Sequence, residues 1–404
     1  MARILFVVPP LTGHINPTIG VGAALIERGH DVAWAGLPGV VDRAVPVGGG
    51  FHPVGTSPGA EWYQGRERRG HARGAAALKF LWEEFIVPVA RYMSEDLPDV
   101  IERFRPDVVV VDQQAPAGAI AARRAGVPWV TSATTSAELV DPLRDLPRVD
   151  EWVRTQLRQL EQEVGSDPGD GVAGDVDLRF SEVLTLAFTT EALSGPVNVP
   201  GPVAFVGPSI ADRSEDPLED GLVDPRRPNL LVSLGTVNAE MGGRFFAEVI
   251  DALADEAVHV IMVAPDVVVT VPDTVTNVVV REHVPQLELL PHLDLVICHG
   301  GHNTVCETLA AGVPLVVAPI RDDQPFIAEQ VARSGAGVRV KFGRIRSAEL
   351  RDVVRRVLTD DSYRRAAAAI SVTFEAAGGA RGAAAAIEAV AERRPDGHAA
   401  EGTP

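Results

Sequence analysis

Apolar residues come in short, nearly continuous runs rather than in strict alternation. Residues 4–8, 31–35 and 108–111 read this way in the first half of the chain. Strands covered by helices on both faces of a parallel sheet have this pattern, because neither face meets water. Between the first two runs, Asn16-Pro17 offers an N-cap followed by proline at the first helical position, and Gly29 offers a stop. The opening thirty residues therefore predict strand, loop, helix. The same grammar restarts at 229–234 and continues through 258–263, 276–280, 293–297 and 314–317. Two successive α/β domains are expected, two copies of one architecture with a parallel sheet covered on both faces.

The stretch 211–227 is rich in Asp, Glu, Pro and Arg and lacks apolar periodicity, so it reads as a linker. The expected division is a first domain over 1–210, the linker over 211–227, a second domain over 228–379, and a C-terminal helix with a frayed tail over 380–404. At 404 residues the chain is long enough for two cores.

A formal charge of -18 disfavours nucleic acid and anionic membrane surfaces as partners. The cluster Arg66, Arg68, Arg69 and Arg73 is interrupted by Glu67 and reads as a solvated face. Two cysteines, Cys298 and Cys306, are too few for a disulfide framework, which points to the cytoplasm. The apolar N-terminal run stops at Pro9-Pro10, too soon for a secretory signal, and no other run approaches the ~18 residues of a membrane helix.

The chemistry concentrates at 283–324. A strand over 293–297 turns through Cys298-His299-Gly300-Gly301-His302-Asn303 into a helix ended by Gly312. Such a turn suits a diphosphate: glycines admit the anion close to the backbone, and the N–H groups and dipole of the helix start attract it. His299 can add a hydrogen bond or partial charge. Asn303 and Glu307 are four apart and share a helix face. A carboxylate at Glu307 accepts two hydrogen bonds at once, as the cis-diol of a ribose requires. After the next strand come Asp323, an acceptor, and Gln324, both donor and acceptor, a pair fit to hold adjacent sugar hydroxyls. Adjacent carboxylates at Asp322-Asp323 point apart in an extended segment, so no metal site is read there.

In the first domain, Gly13-His14-Ile15-Asn16-Pro17 places a histidine past the first strand, where crevice-facing residues sit. A histidine can act as a general base if something orients its ring, and Asp112, directly after the run 108–111, is the natural partner. The stretch 59–92 carries Trp62, Tyr63, Phe80, Trp82, Phe85 and Tyr92 in a chain only 5% aromatic. Phe80 and Phe85 read as core on an amphipathic helix, whereas Trp62 and Tyr63 are the candidates for an apolar acceptor wall.

Taken together, His283-Val284-Pro285-Gln286, His299-Gly300-Gly301-His302-Asn303-Thr304, Glu307 and Asp323-Gln324 resemble the nucleotide-sugar signature of UDP-glycosyltransferases acting on small molecules, most like the bacterial macrolide-type branch. The resemblance implies the GT-B fold, two Rossmann-like domains facing across a cleft, with the donor on the second domain and the acceptor mainly on the first. It implies His283 against the base, Gln286 near the nucleoside and Val284 among the nucleotide-sugar contacts. His299, Gly301, Asn303 and Thr304 fall on the diphosphate, with Gly235-Thr236 as a second contact. Glu307 falls on the ribose, and Asp323 and Gln324 on the sugar. Plant members carry tryptophan where His283 stands, so a weaker stacking platform is implied. Gly-His-Ile-Asn-Pro and Val-Asp-Gln resemble the segments that supply the base and its aspartate, which implies a His14–Asp112 dyad.

The expectation is an inverting glycosyltransferase that moves a hexose, most simply glucose, from a UDP-sugar to a hydroxyl of a hydrophobic small molecule, with no metal or other cofactor. A dTDP-deoxysugar donor is the alternative, and a nucleotide-sugar epimerase is the alternative of another class. The reading leaves room for a homodimer.

Overall fold

The computed structural model describes residues 1–55, 75–140, 143, 146–164, 177–210, 217–235, 241–265 and 267–393. Trp62, Tyr63, Thr236 and the arginine cluster at 66–73 lie outside the described residues. The chain forms two units. One comprises Met1–Phe188, Val197–Ala211 and Gly378–Pro404, and the other Thr189–Pro196 and Asp212–Ala377.

The first unit is built on β1 (Arg3–Val7), β2 (Asp31–Gly36), β3 (Gly50–Pro53), β4 (Val108–Asp112), β5 (Trp129–Ala133), β6 (Thr185–Ala187) and β7 (Val203–Phe205). They pair in the order β3-β2-β1-β4-β5-β6-β7, every pair parallel. Its helices include α1 (Thr12–Glu27), α2 (Val87–Phe104), α3 (Pro116–Arg124) and α4 (Pro147–Val164). The apolar runs are continuous because both faces are covered. Leu5, Val7, Val109 and Val111 pack with α2, α3 and α4, while Ile4, Phe6, Val108 and Val110 pack with α1 on the other side. Trp34 stacks on Phe6 at 5.0 Å between ring centroids, and its Nε1 donates to Thr18 Oγ1 at 3.0 Å.

The helix α1 starts earlier than Asn16-Pro17 suggests. Its first turn is closed by the N–H groups of His14 and Ile15 on the carbonyl of Leu11, and Pro17 lies inside it. A proline in the second turn forgoes only one N–H, its bond to the carbonyl of Gly13, so the signal for a helix start is displaced by about one turn.

The second unit uses β8 (Asn229–Ser233), β9 (His259–Val263), β10 (Val278–Arg281), β11 (Leu295–Cys298), β12 (Leu315–Val317) and β13 (Gly337–Arg339). Their order is β10-β9-β8-β11-β12-β13, again all parallel. Among its helices are α5 (Gly243–Leu253), α6 (His302–Ala310), α7 (Gln324–Arg333), α8 (Ser347–Thr359) and α9 (Asp361–Ala377). Phe245, Phe246, Val249, Leu350 and Val354 close one face over Leu230, Val232 and Val260.

The last helix, α10 (Gly379–Glu392), which the sequence set apart from both domains, packs into the first unit. Ala383, Ala384, Ile387 and Val390 form a helical stripe buried against the α1 side of the first sheet, and Glu388 takes Arg28 at 2.6 Å and His30 at 2.8 Å. The physical reason is periodicity: those four positions lie on one face, and α1 offers the matching apolar surface.

Candidate functional site

Strand order reverses direction between β1 and β4 in the first unit and between β8 and β11 in the second. At such switch points the loops at the strands' C-terminal ends diverge and leave a crevice. His14 follows β1 and Asp112 ends β4; Gly235 follows β8 and His299 follows β11. All four therefore stand at the crevice their own sheet creates.

In the first unit, His14 on the opening turn of α1 directs Nδ1 at Asp112, 2.9 Å from Oδ1 and 3.0 Å from Oδ2. Asp112 is wholly buried. Its carboxylate also accepts the Gln114 N–H at 2.8 Å and the Thr134 hydroxyl at 2.9 Å. Thr134 Oγ1 in turn lies 2.8 Å from His14 Nδ1. Three donors on one buried carboxylate fix its orientation, and with the Nδ1 proton held by Asp112 the imidazole lone pair is on Nε2. Thr134 was not singled out from the sequence. The polar run Thr131-Thr134-Thr135-Ser136 past an apolar strand start was the available signal.

The aromatics divide by burial. Trp82 and Phe85 are buried in the core under α2, in a turn of π-helix over Leu81–Ile86. Tyr92 is exposed.

In the second unit, Gly300 takes φ +91° and Gly301, the N-cap of α6, is extended. The N–H groups of the first helical turn thus point out of the sheet's edge toward the crevice. The His299 ring lies against both Gly235 and Gly301: a Cβ on Gly301 would come 2.6 Å from its Nε2, and one on Gly235 2.8 Å from Cε1. Burial draws the imidazole down from 6.5 to about 4, a hydrogen bond with the Ser233 backbone works the other way, and the Arg321 charge lowers it further. His299 is accordingly neutral at pH 7 and offers the polarised N–H of an uncharged imidazole rather than a full charge.

Glu307 is buried within α6, and its Oε2 accepts the Gln286 Nε2 at 2.6 Å. Two residues expected near the nucleoside are thereby joined, and Gln286 serves to orient the carboxylate. Val284 turns its side chain into the core, leaving only its backbone for a ligand, while His283 is exposed beside it. Asn303 and Thr304 lie half-buried on the first turn of α6.

Gln324 departs from expectation. Its Oε1 accepts the N–H groups of Ile320 at 2.9 Å and Arg321 at 3.1 Å. The carbonyl thus closes its own loop, and the amide NH2 is the part with chemistry to offer a sugar. Asp323 stands at the N-cap of α7. Asp322 before it holds a left-handed φ of 54°, and the buried Arg321 lies 3.8 Å from its carboxylate. The charged Arg321 beside His299 is a feature the sequence reading passed over.

Residues 221–375 match the family described as UDP-glucoronosyl and UDP-glucosyl transferase. The chain is 30% identical to 4'-demethylrebeccamycin synthase of Lentzea aerocolonigenes, covering 93% of this chain and 96% of that protein. It is also 30% identical to the NDP-glycosyltransferase YjiC of Bacillus subtilis, covering 94% and 95%. In fold it is similar to the glycotransferase of kitacinnamycin, with TM-score 0.75 at 24% identity over 96% of this chain and 99% of that one. It is likewise similar to the glycosyltransferase VinC solved in complex with dTDP, with TM-score 0.72 at 23% identity over 97% and 100%. Both sheets have the GT-B architecture those structures share. Among the described residues no helix is long and apolar enough to cross a membrane.

Proposed function

Because this chain belongs to the UDP-glucuronosyl and UDP-glucosyl transferase family, and within it resembles glycosyltransferases of small natural products, we propose that it is an inverting transferase moving a hexose from UDP to a hydroxyl of a hydrophobic small molecule. The observation that carries the reading is the buried Asp112 holding His14 by Nδ1.

His14 Nε2 takes the proton of the acceptor hydroxyl as that oxygen bonds to the anomeric carbon. The bond from that carbon to the diphosphate oxygen breaks, and its electron pair leaves with UDP. Asp112 stabilises the imidazolium. Attack opposite the leaving group turns an α-linked donor into a β-glycoside. The first-turn N–H groups of α6 and the neutral His299 receive the departing diphosphate, so the step calls for no metal.

Glu307 supports a ribonucleotide. A carboxylate has acceptor sites for more than one donor, and the 2'- and 3'-hydroxyls of ribose supply two where a deoxyribose supplies one. Asp323 and the Gln324 amide support a hexose with its hydroxyls intact, glucose first. The competing reading, a dTDP-deoxysugar donor, draws on the structural neighbour solved with dTDP. Turnover with UDP-glucose and with a dTDP-deoxysugar, measured side by side, separates them. A tenfold or greater preference for the UDP donor is expected, and a preference for dTDP would reverse the role given to Glu307.

A further inference from the structure

Between α2 and α3 the first unit holds a cavity of about 760 Å³ that the transfer chemistry does not use. It lies at the far end of the sheet from the dyad. Arg3, which opens β1, and Pro106, just before β4, are on its wall, whereas His14 and Asp112 stand where those two strands finish. The residue steps of β1 alone put about 13 Å between the two ends. The space exists because the facing residues are short. Ala117, Ala121 and Ala125 recur every fourth position along α3 and its C-cap, and Ser94 and Pro98 do the same on α2. Both helices thus turn small side chains toward the gap.

The wall is apolar at depth and cationic at its mouth. Ile101 and Ile120 are buried, while Arg3, Arg105 and Arg124 line the same cavity against a single acid, Glu102. In a chain of net charge -18 this is a local inversion of sign. Arg124 commits one terminal nitrogen to the Val164 carbonyl at 2.9 Å. The other two are fixed only by their backbones: the Arg3 N–H donates to Asp107 at 2.7 Å, and the Arg105 N–H to the Ile101 carbonyl at 2.8 Å. Neither guanidinium has a hydrogen bond or ion pair among the described residues.

Arg105 adds a second observation. It caps the C-terminus of α2 with a left-handed φ of 50°, a conformation that suits glycine and strains a residue carrying a Cβ. Neither the backbone nor a protein partner calls for arginine there, and an anionic ligand does. A guanidinium fork fits a carboxylate with two parallel N–H···O bonds, and the apolar depth fits a hydrocarbon body behind that head group. The described wall offers no aromatic ring for a nucleobase to stack on. The volume falls within the roughly 300–1,000 Å³ of small-molecule sites.

We propose that this cavity is a second binding site, separate from the reaction crevice, for apolar carboxylic acids: the hydrocarbon lies between α2 and α3, and Arg3 and Arg105 hold the carboxylate.

The test is calorimetric titration, at fixed ionic strength, with sodium octanoate, sodium acetate and octylammonium chloride. Octanoate binds the wild type, and acetate, which lacks the body, and octylammonium, which reverses the head-group charge, bind at least about tenfold more weakly. The double variant Arg3→Gln with Arg105→Gln loses about tenfold or more in octanoate affinity, because charge-assisted hydrogen bonds go, while its melting temperature and its transfer activity stay those of the wild type. Ala121→Phe fills the gap and weakens octanoate with both arginines in place. The assignment is overturned if the wild type binds no octanoate, if octanoate and octylammonium bind alike, or if the double variant keeps octanoate affinity within about threefold. Octanoate affinity that survives the double variant and falls in His14→Ala puts the acid in the reaction crevice, which overturns it as well.

Discussion

A buried carboxylate that accepts from a histidine, a hydroxyl and a backbone N–H at once has no freedom to turn, and that constraint gives the first prediction. Asp112→Asn preserves the shape but presents an NH2 where Nδ1–H needs an acceptor, so the ring settles in the wrong tautomer. Turnover should fall by about 10²–10⁴-fold with donor affinity nearly intact, measured by single-turnover kinetics and donor titration. Thr134→Val removes one of the three donors and should cost only about tenfold. His299 yields a pH prediction. Its folded-state value of about 4 lies below the ordinary 6.5, so the unfolded chain takes up the proton first. The stability associated with a neutral His299 is complete above pH 6.5 and is lost as pH falls toward 4. Denaturant unfolding of wild type against His299→Asn should show a gap that changes by up to about 3 kcal/mol over that window, and parallel pH curves would contradict the buried, neutral ring. At this scale the His14–Asp112 contact was legible in the sequence because a histidine and a carboxylate stand past the C-terminal ends of neighbouring strands. Thr134, Arg321 and the internal use of the Gln324 carbonyl were not, because each depends on which way a side chain turns once the loop has closed.

Elements were legible wherever burial on two faces made a continuous apolar run, as at β1, β4, β8 and β11. The start of α1 was misplaced because Asn16-Pro17 carries a strong local signal that the tertiary fold overrides, and Pro17 is tolerated one turn inside. Glycines show the same dependence on context. A Cβ on Gly22 would fall within the Trp34 ring, which is fixed by Phe6 and Thr18. Gly22→Ala should therefore destabilise the protein by about 1–3 kcal/mol in chemical denaturation, where an ordinary helix position would gain from alanine. Gly301→Ala sets its methyl against His299 and should weaken UDP binding more than it lowers the melting temperature, which calorimetric titration can resolve.

For the molecule as a whole, the chain's last helix returns to the unit built from its beginning. The sequence could not show this, because an alanine-rich amphipathic stripe names no partner, and the surface that α10 covers is itself assembled only after β1, β4 and α1 have met. A chain ending at residue 377 should leave Ile15, Val21 and Leu25 without the cover that Ile387 and Val390 provide. A loss of about 3–6 kcal/mol is expected from those side chains, seen as a lower denaturation midpoint for the first unit. Two all-parallel sheets thus each present a switch point, with His14 and Asp112 at β1–β4 and Gly235 and His299 at β8–β11.

The claim that joins these scales is that His14 is the base, and the most direct measurement is turnover of His14→Ala alongside its affinity for UDP-glucose. Donor affinity within about threefold of the wild type and transfer reduced by at least 10²-fold is the predicted result; undiminished transfer by that variant would contradict the account.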